Sequence, residues 1–250
     1  MNNHIYYPQA VSTNTILKEL MQENPLLPQF TVVSAGYQTS GRGQRQNVWE
    51  SEVDKNLLFT MLLTPTSLSS SDAFNISKIV SVAIAEWLQM FVKDVKIKWP
   101  NDIYSGDKKI CGILIENSIM GANLSSAVVG VGININQTNF SPTLPNPISI
   151  ANLTQKEYDL DEMLEGVVEE IKSCYSRYFE GGEEEIDSRY HNMLYRLNIL
   201  AKYNIIDSNS NAKKEEEATI VGVEQNGCLC LKHTDATVRS YAFKEVEFVL

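Results

Sequence analysis

Along the chain the apolar positions switch between two periods, and the switches mark the elements. "HIYY" at 4–7 predicts a short strand. "STNTILKELMQ" at 12–22 places Ile16, Leu17, Leu20 and Met21 on one helical face, with Ser12 where an N-cap belongs. "FTVVSA" at 30–35 is β-rich, and "NLLFTMLLT" at 56–64 is the continuous apolar run of a buried strand. A polar loop rich in glycine and arginine therefore joins two strands. Residues 72–92 open at a cap-like Asp72 and carry Phe74, Ile76, Ile79, Val80, Ala83, Ile84, Trp87, Leu88 and Phe91 at the spacing of a core helix. "VKIKWP" at 95–100 and "ICGILIEN" at 110–117 predict strands separated by the turn-like "NDIYSGDKK". "SSAVVGVGINI" at 125–135 predicts another, whose glycines admit a close approach to its backbone.

The second half has a different texture. Residues 139–154 hold three of the eight prolines and are expected to be irregular. Helices are expected over 160–179, with Leu164, Val167, Val168, Ile171, Tyr175 and Tyr178 on one side, and over 183–198. After about residue 200 come short β-like runs divided by tight turns such as "QNG", the pattern of a small barrel or sandwich. The expected organisation is α+β: a mixed-sheet domain over 1–195 and a small β domain over 196–250.

Composition narrows the function. At 250 residues, 43% hydrophobic and 21% charged, the chain has the usage of a folded globular protein. A net charge of −10 argues against broad binding to a nucleic-acid backbone and leaves room for a local basic pocket. The N-terminus lacks a secretory pattern and no apolar run is long enough to cross a bilayer, so a cytoplasmic protein without a membrane partner is expected. Cys111, Cys174, Cys228 and Cys230 have no zinc-site spacing and read as reduced structural thiols. His4, His191 and His233 are far apart and suggest neither a triad nor a metal site.

Candidate chemistry gathers at strand ends: "STN" at 12–14, "YQTSGRGQRQNVW" at 37–49, "KWPND" at 98–102 with "DKKICGILIE" at 107–116, and "GVGININ" at 130–136. Glycines that free backbone N–H groups, beside arginines that bind phosphoryl oxygens in pairs, suit a phosphate. The loop is neither a Walker A nor a dinucleotide fingerprint, and by itself it reads first as an ordinary surface loop. "KWPND" is by itself equally a β-turn with Pro100 and Asn101 at its corner. If the flanking strands pair, Lys109 and Asp102 face one cleft. Asn134 by itself is a residue that satisfies backbone groups at a strand end.

Taken together, in this order and spacing, the four segments resemble a biotin protein ligase over essentially the whole chain. That resemblance implies a catalytic domain related to class II aminoacyl-tRNA synthetases and a C-terminal barrel of the Src-homology-3-like kind. Repressor members carry a winged helix-turn-helix ahead of the "STN" segment; Ser12 follows only eleven residues here, so the monofunctional class is expected. The implied reaction joins biotin and ATP, with Mg²⁺, into biotinyl-5′-AMP and then transfers biotin to a lysine of a biotin carboxyl carrier protein. The expected ligase is a monomer or homodimer.

Matched position by position, Ser12, Thr13 and Gln38 resemble binders of the biotin ureido ring. Arg42 and the Gly41 and Gly43 backbone would fold over the carboxylate and phosphate, with Trp49 packing on the closed ligand. Lys109 would meet carboxylate and α-phosphate, Asn134 would hold the adenylate, and Asn14, Asn101 and Gly112 join the binding set. Asp102 either orients Lys109 or takes the proton of the acceptor lysine. Gln44 departs from the family, whose members read "GRGRRG"; Arg42, with Arg45, would then carry the missing charge. Two rivals are a lipoate or octanoate transferase of the same fold, whose "RRxSGGG"-like segment the chain lacks, and a non-catalytic biotin-binding protein.

Overall fold

The computed structural model describes residues 3–44, 47–207 and 212–249; Arg45 lies outside them. The larger sheet contains β1 (His4–Tyr7), β2 (Val32–Ala35), β3 (Leu57–Leu63), β4 (Val95–Lys98), β5 (Asp102–Ser105), β6 (Lys108–Met120) and β7 (Asn123–Ile133). Their spatial order is β1-β2-β3-β7-β6-β5-β4. β1 and β2 are parallel and the other neighbouring pairs antiparallel, so the sheet is mixed.

Side-chain alternation explains why β3 is buried throughout. Leu57, Phe59, Met61 and Leu63 join the core built with helices α2 (Phe74–Gln89) and α4 (Leu160–Arg177). On the opposite face Leu62 packs with Val33, Val128 and Leu17 of α1 (Thr13–Glu23). Fully burying a side chain such as Phe59 contributes roughly 1.5–3 kcal/mol, so this run commits the strand to the centre of the sheet.

Four local expectations are corrected. Asp72 caps no helix: Ser69 caps a short 3₁₀ turn, Ser70–Asp72, and α2 starts at Phe74 with no side-chain cap, while Asp72 accepts from Gln225 at 2.6 Å. The turn-like stretch after Pro100 contains β5, because two short hairpins fit where one long turn was expected. The proline-rich segment ends in α3 (Ile150–Thr154), closed by a Ser149/Asn152 capping box. Helix α5 (Glu183–Asn192) stops short of 198 because residues 193–195 bond along the outer edge of β4, through Ile97 N–H to the Met193 carbonyl and Tyr195 N–H to the Ile97 carbonyl.

The second sheet is antiparallel: β8 (Leu200–Ile206), β9 (Lys213–Val223), β10 (Leu229–His233), β11 (Val238–Tyr241) and β12 (Val246–Phe248), ordered β11-β10-β9-β8-β12. The mixed sheet with flanking helices and the small C-terminal β domain are thus both present. They share one core, in which Tyr203, Ile220, Leu229 and Leu231 are fully buried. The Trp99 indole donates to the Gly227 carbonyl at 2.9 Å and joins the two sheets directly.

Candidate active site

Sheet register lays out the site. Leu58 on β3 lies opposite Gly132 on β7, Gly132 opposite Gly112 on β6, Gly112 opposite Asp102 on β5, and Asp102 opposite Lys98 on β4. Thr60, Gly130 and Leu114 form the next row. Cross-strand partners share a face, and here it is the face that α1 crosses. Glycines at the centre leave a trough with polar groups at both ends, a cavity of about 400 Å³.

At the inner end, Ser12 holds the N-cap position of α1 in extended geometry, yet its hydroxyl makes no capping bond and lines the cavity. Gln38 Oε1 accepts from Thr13 N–H at 2.8 Å and from the Thr13 hydroxyl at 3.2 Å. The Thr60 hydroxyl sits 2.7 Å from Thr13 Oγ1 and 2.6 Å from Asn14 Oδ1. Asn14 donates to Glu116 at 2.9 Å, and Lys18 reaches the same carboxylate at 2.6 Å. Burial by itself raises the Glu116 carboxyl, but these bonds outweigh it and hold the group below the usual carboxylate range. A Cβ on Gly130 would come within 2.1 Å of Asn14 Oδ1, so the glycine gives the amide its place.

At the outer end a β-bulge aims Lys109. Ile103 faces Cys111, but Tyr104 faces Lys109, so Ile110 is the extra residue. In an uninterrupted ladder Lys109 would point to the core; the bulge buries Ile110 and Cys111 in succession, each 0% exposed, and turns Lys109 to the cleft. Its Nζ meets Asp102 Oδ1 at 2.6 Å. Asn101 braces the turn, donating to the Ile113 carbonyl at 2.7 Å and accepting from Ile113 N–H at 2.9 Å.

The glycine–arginine loop closes over the trough as a tight hairpin. Arg42 bridges Val48, and Trp49 N–H donates to the Gly41 carbonyl at 3.0 Å. Gly43 N–H is engaged inside the loop by the Asn47 carbonyl at 2.7 Å, not held open for an anion. The Trp49 ring lies on the glycine floor: a Cβ on Gly132 or Gly112 would come within 2.4 or 2.8 Å of it. Lys109 Nζ stands 5.6 Å from the ring centroid, and the indole N–H is buried with no hydrogen-bond partner among the described residues.

The family model for the biotin/lipoate A/B protein ligase family matches residues 6–134, which include the glycine floor and both polar ends of the trough but not the lining given by Phe243, Val246, Glu247 and Phe248. The chain belongs to this family. Among its relatives, the bifunctional ligase/repressor BirA of Escherichia coli is 26% identical over 242 residues, covering 96% of this chain and 72% of that protein. BirA of Bacillus spizizenii is 28% identical over 183 residues, 72% of this chain and 54% of its own length. The chain thus spans about half the length of the Bacillus relative. In fold it is similar to a biotin protein ligase of Aquifex aeolicus in complex with biotin and ATP, at a TM-score of 0.80 and 22% identity, covering 100% and 99% of the two chains.

In this biotin/lipoate ligase family member the cleft collects Ser12, Thr13, Asn14, Gln38, Arg42, Gly43, Gln44, Trp49, Asn101, Asp102, Lys109 and Gly112. Two expected residues stand outside its lining. Gly41 is buried at the base of the hairpin, where a Cβ would come within 2.5 Å of the Trp49 carbonyl oxygen. Asn134 is buried, its amide donating to the Ile148 carbonyl at 3.0 Å, the backbone role open to it from the start. Arg42 reaches Thr15 at 3.3 Å and Glu116 at 3.7 Å. Gln44 Oε1 is buried without a hydrogen-bond partner among the described residues.

Sequence reading quoted Lys98 and Glu116 within its candidate segments without singling them out, and missed Thr60 and the wall formed by Phe243, Val246, Glu247 and Phe248 of the C-terminal domain. Thr60 carried a signal, a lone polar residue inside an apolar strand; the wall carried none. Among the described residues no group of three or more His, Cys, Asp or Glu side chains could hold a metal. No helix is long and apolar enough to cross a membrane.

Proposed function

We propose that the chain is an ATP-dependent biotin–protein ligase. The observation that carries this reading is the polarity of the trough. The hydrogen-bonded side chains of Thr13, Gln38, Asn14 and Thr60, with Ser12 beside them and Glu116 behind Asn14, lie at one end, the Lys109–Asp102 pair at the other, and a glycine floor between them. Paired donors and acceptors suit a neutral ureido ring, and the floor seats the Trp49 ring of the closing hairpin. The relatives' names point the same way: a ligase, and a structure holding biotin and ATP.

In this mechanism the carboxylate oxygen of biotin attacks the α-phosphorus of ATP, forming the acyl–phosphate bond and releasing pyrophosphate. An anion meets an anion, so the step depends on positive charge held ready. Lys109 supplies it from the cleft wall, with Arg42 and the Trp49 hairpin closing above. A lysine amine of a biotin carboxyl carrier protein then attacks the acyl carbon and AMP leaves. The 2.6 Å contact favours Asp102 as the group that orients Lys109. Mg²⁺ accompanies the nucleotide.

The test is incubation of the full chain with ATP, Mg²⁺, labelled biotin and a carrier domain. Transfer to the carrier lysine is expected, falling at least about a hundredfold in Lys109→Ala. Absence of transfer, or transfer indifferent to Lys109, overturns the reading. Efficient transfer of a lipoyl or octanoyl group instead would assign the transferase activity.

A further inference from the structure

A second cavity, of about 340 Å³, lies behind the Trp99–Pro100–Asn101 turn, between α2, the outer stretch of β6 and the C-terminal domain. It backs onto the cleft and shares Gln44 and Phe243 with it, whereas Phe74, Ser77 and Ser81 of α2 line the second cavity and not the cleft. The rings of Phe74, Trp99 and Phe243 give it an apolar wall, and the Trp99 ring is fixed by its 2.9 Å bond to the Gly227 carbonyl. Among the described residues no Lys, Arg, Asp or Glu side chain lines it. Two polar atoms of its lining residues are left with nothing to bond. Ser81 is 0% exposed and its hydroxyl has no hydrogen-bond partner among the described residues, and the same is true of the buried Oε1 of Gln44. Native proteins rarely leave such groups unpaired, because the desolvation they have suffered is recovered only when a partner arrives.

We infer that this cavity binds a small, neutral aromatic carboxamide, and that its occupant acts on the lid through Gln44. Neutrality follows from the lining, which offers no counter-charge to an ion. The amide N–H answers Gln44 Oε1, which can only accept, and the amide carbonyl answers the Ser81 hydroxyl, which can donate. The three rings suit an aromatic body, and the volume suits a single ring with its substituent. Gln44 belongs to the same hairpin as Trp49, so a ligand held by its side chain adds to the closed position of the lid. The effect on the lid rests on the ligase reading; the binding itself does not.

Benzamide is the probe, titrated into the full chain by ligand-observed saturation-transfer NMR. Wild type is expected to bind it with a dissociation constant of about a millimolar or below, and no more weakly when biotin and ATP are present. N,N-Dimethylbenzamide keeps the carbonyl and lacks the N–H, so it should bind at least about fivefold more weakly, a gap that closes in Gln44→Met. Ser81→Ala should weaken benzamide by a similar factor, and Ser77→Leu, which adds bulk to the α2 wall, should abolish its binding, with far-UV circular dichroism unchanged in both. No saturable binding to wild type, displacement by biotin and ATP, or binding indifferent to Ser81→Ala and Ser77→Leu overturns the site. Bound benzamide should also slow release of biotinyl-AMP at least about twofold in a single turnover, and unchanged release overturns the coupling through Gln44. A chain that binds benzamide in this way but forms no biotinyl-AMP overturns the ligase reading instead and leaves the site standing.

Discussion

Glu116 shows how much one side chain decides in this cleft. It receives Asn14 at 2.9 Å and Lys18 at 2.6 Å and faces Arg42 at 3.7 Å, linking helix, sheet and lid. Glu116→Gln removes the charge but keeps the shape, and because the carboxylate is partly solvated the expected loss of biotin affinity is modest, roughly three- to tenfold by calorimetry. The pH dependence has a definite sign. A carboxyl held below its ordinary 4.5 contributes fully above that pH, and its contribution is lost as pH falls through the lower folded-state value. Wild type and Glu116→Gln should therefore converge in acid and differ most at neutral pH. Gln44 is the second such position. Its side chain lines the cleft and its oxygen is buried without a hydrogen-bond partner among the described residues; on the proposed reading a guanidinium here would add positive charge to the cleft. Gln44→Arg is expected to slow release of biotinyl-AMP in a single-turnover assay, and equal or faster release would count against that role.

At the scale of elements, the hydrophobic pattern named most helices and strands, and the failures have physical causes. The β5 strand was hidden because four residues between two turns carry too little periodicity to separate from a loop. Helix α5 ran short because the chain beyond it is drawn onto the open edge of β4. The glycines of β7 were legible as places of close approach, but which group approached was not. The Trp49 ring fills that place, which makes the floor testable. Gly132→Ala would put a Cβ 2.4 Å from the ring, and overpacking of this kind costs about 1–3 kcal/mol. The expected outcome is an unchanged far-UV spectrum with weakened ligand affinity and altered Trp49 fluorescence. Affinity that stays at the wild-type level would show that the lid does not need the glycine floor.

Across the whole molecule, local pattern was enough to specify the α+β class, the change of texture near residue 200 and most of the polar segments that meet in the cleft. Those properties follow from periodicity and from residue chemistry, which a linear chain carries without reference to its fold. Lys109 could be nominated with the help of the family resemblance, and its direction only on the condition that the flanking strands pair. A one-residue bulge, visible only when β5 and β6 pair, turns it from the core to the cleft. Nor could any local signal place Phe248 against Lys98, 150 residues earlier, or show that Asn134 is engaged by the Ile148 carbonyl behind the cleft. Strand register and the packing of the second sheet on the first decided these contacts. Both depend on pairing between distant residues, and no window of sequence contains both members of such a pair.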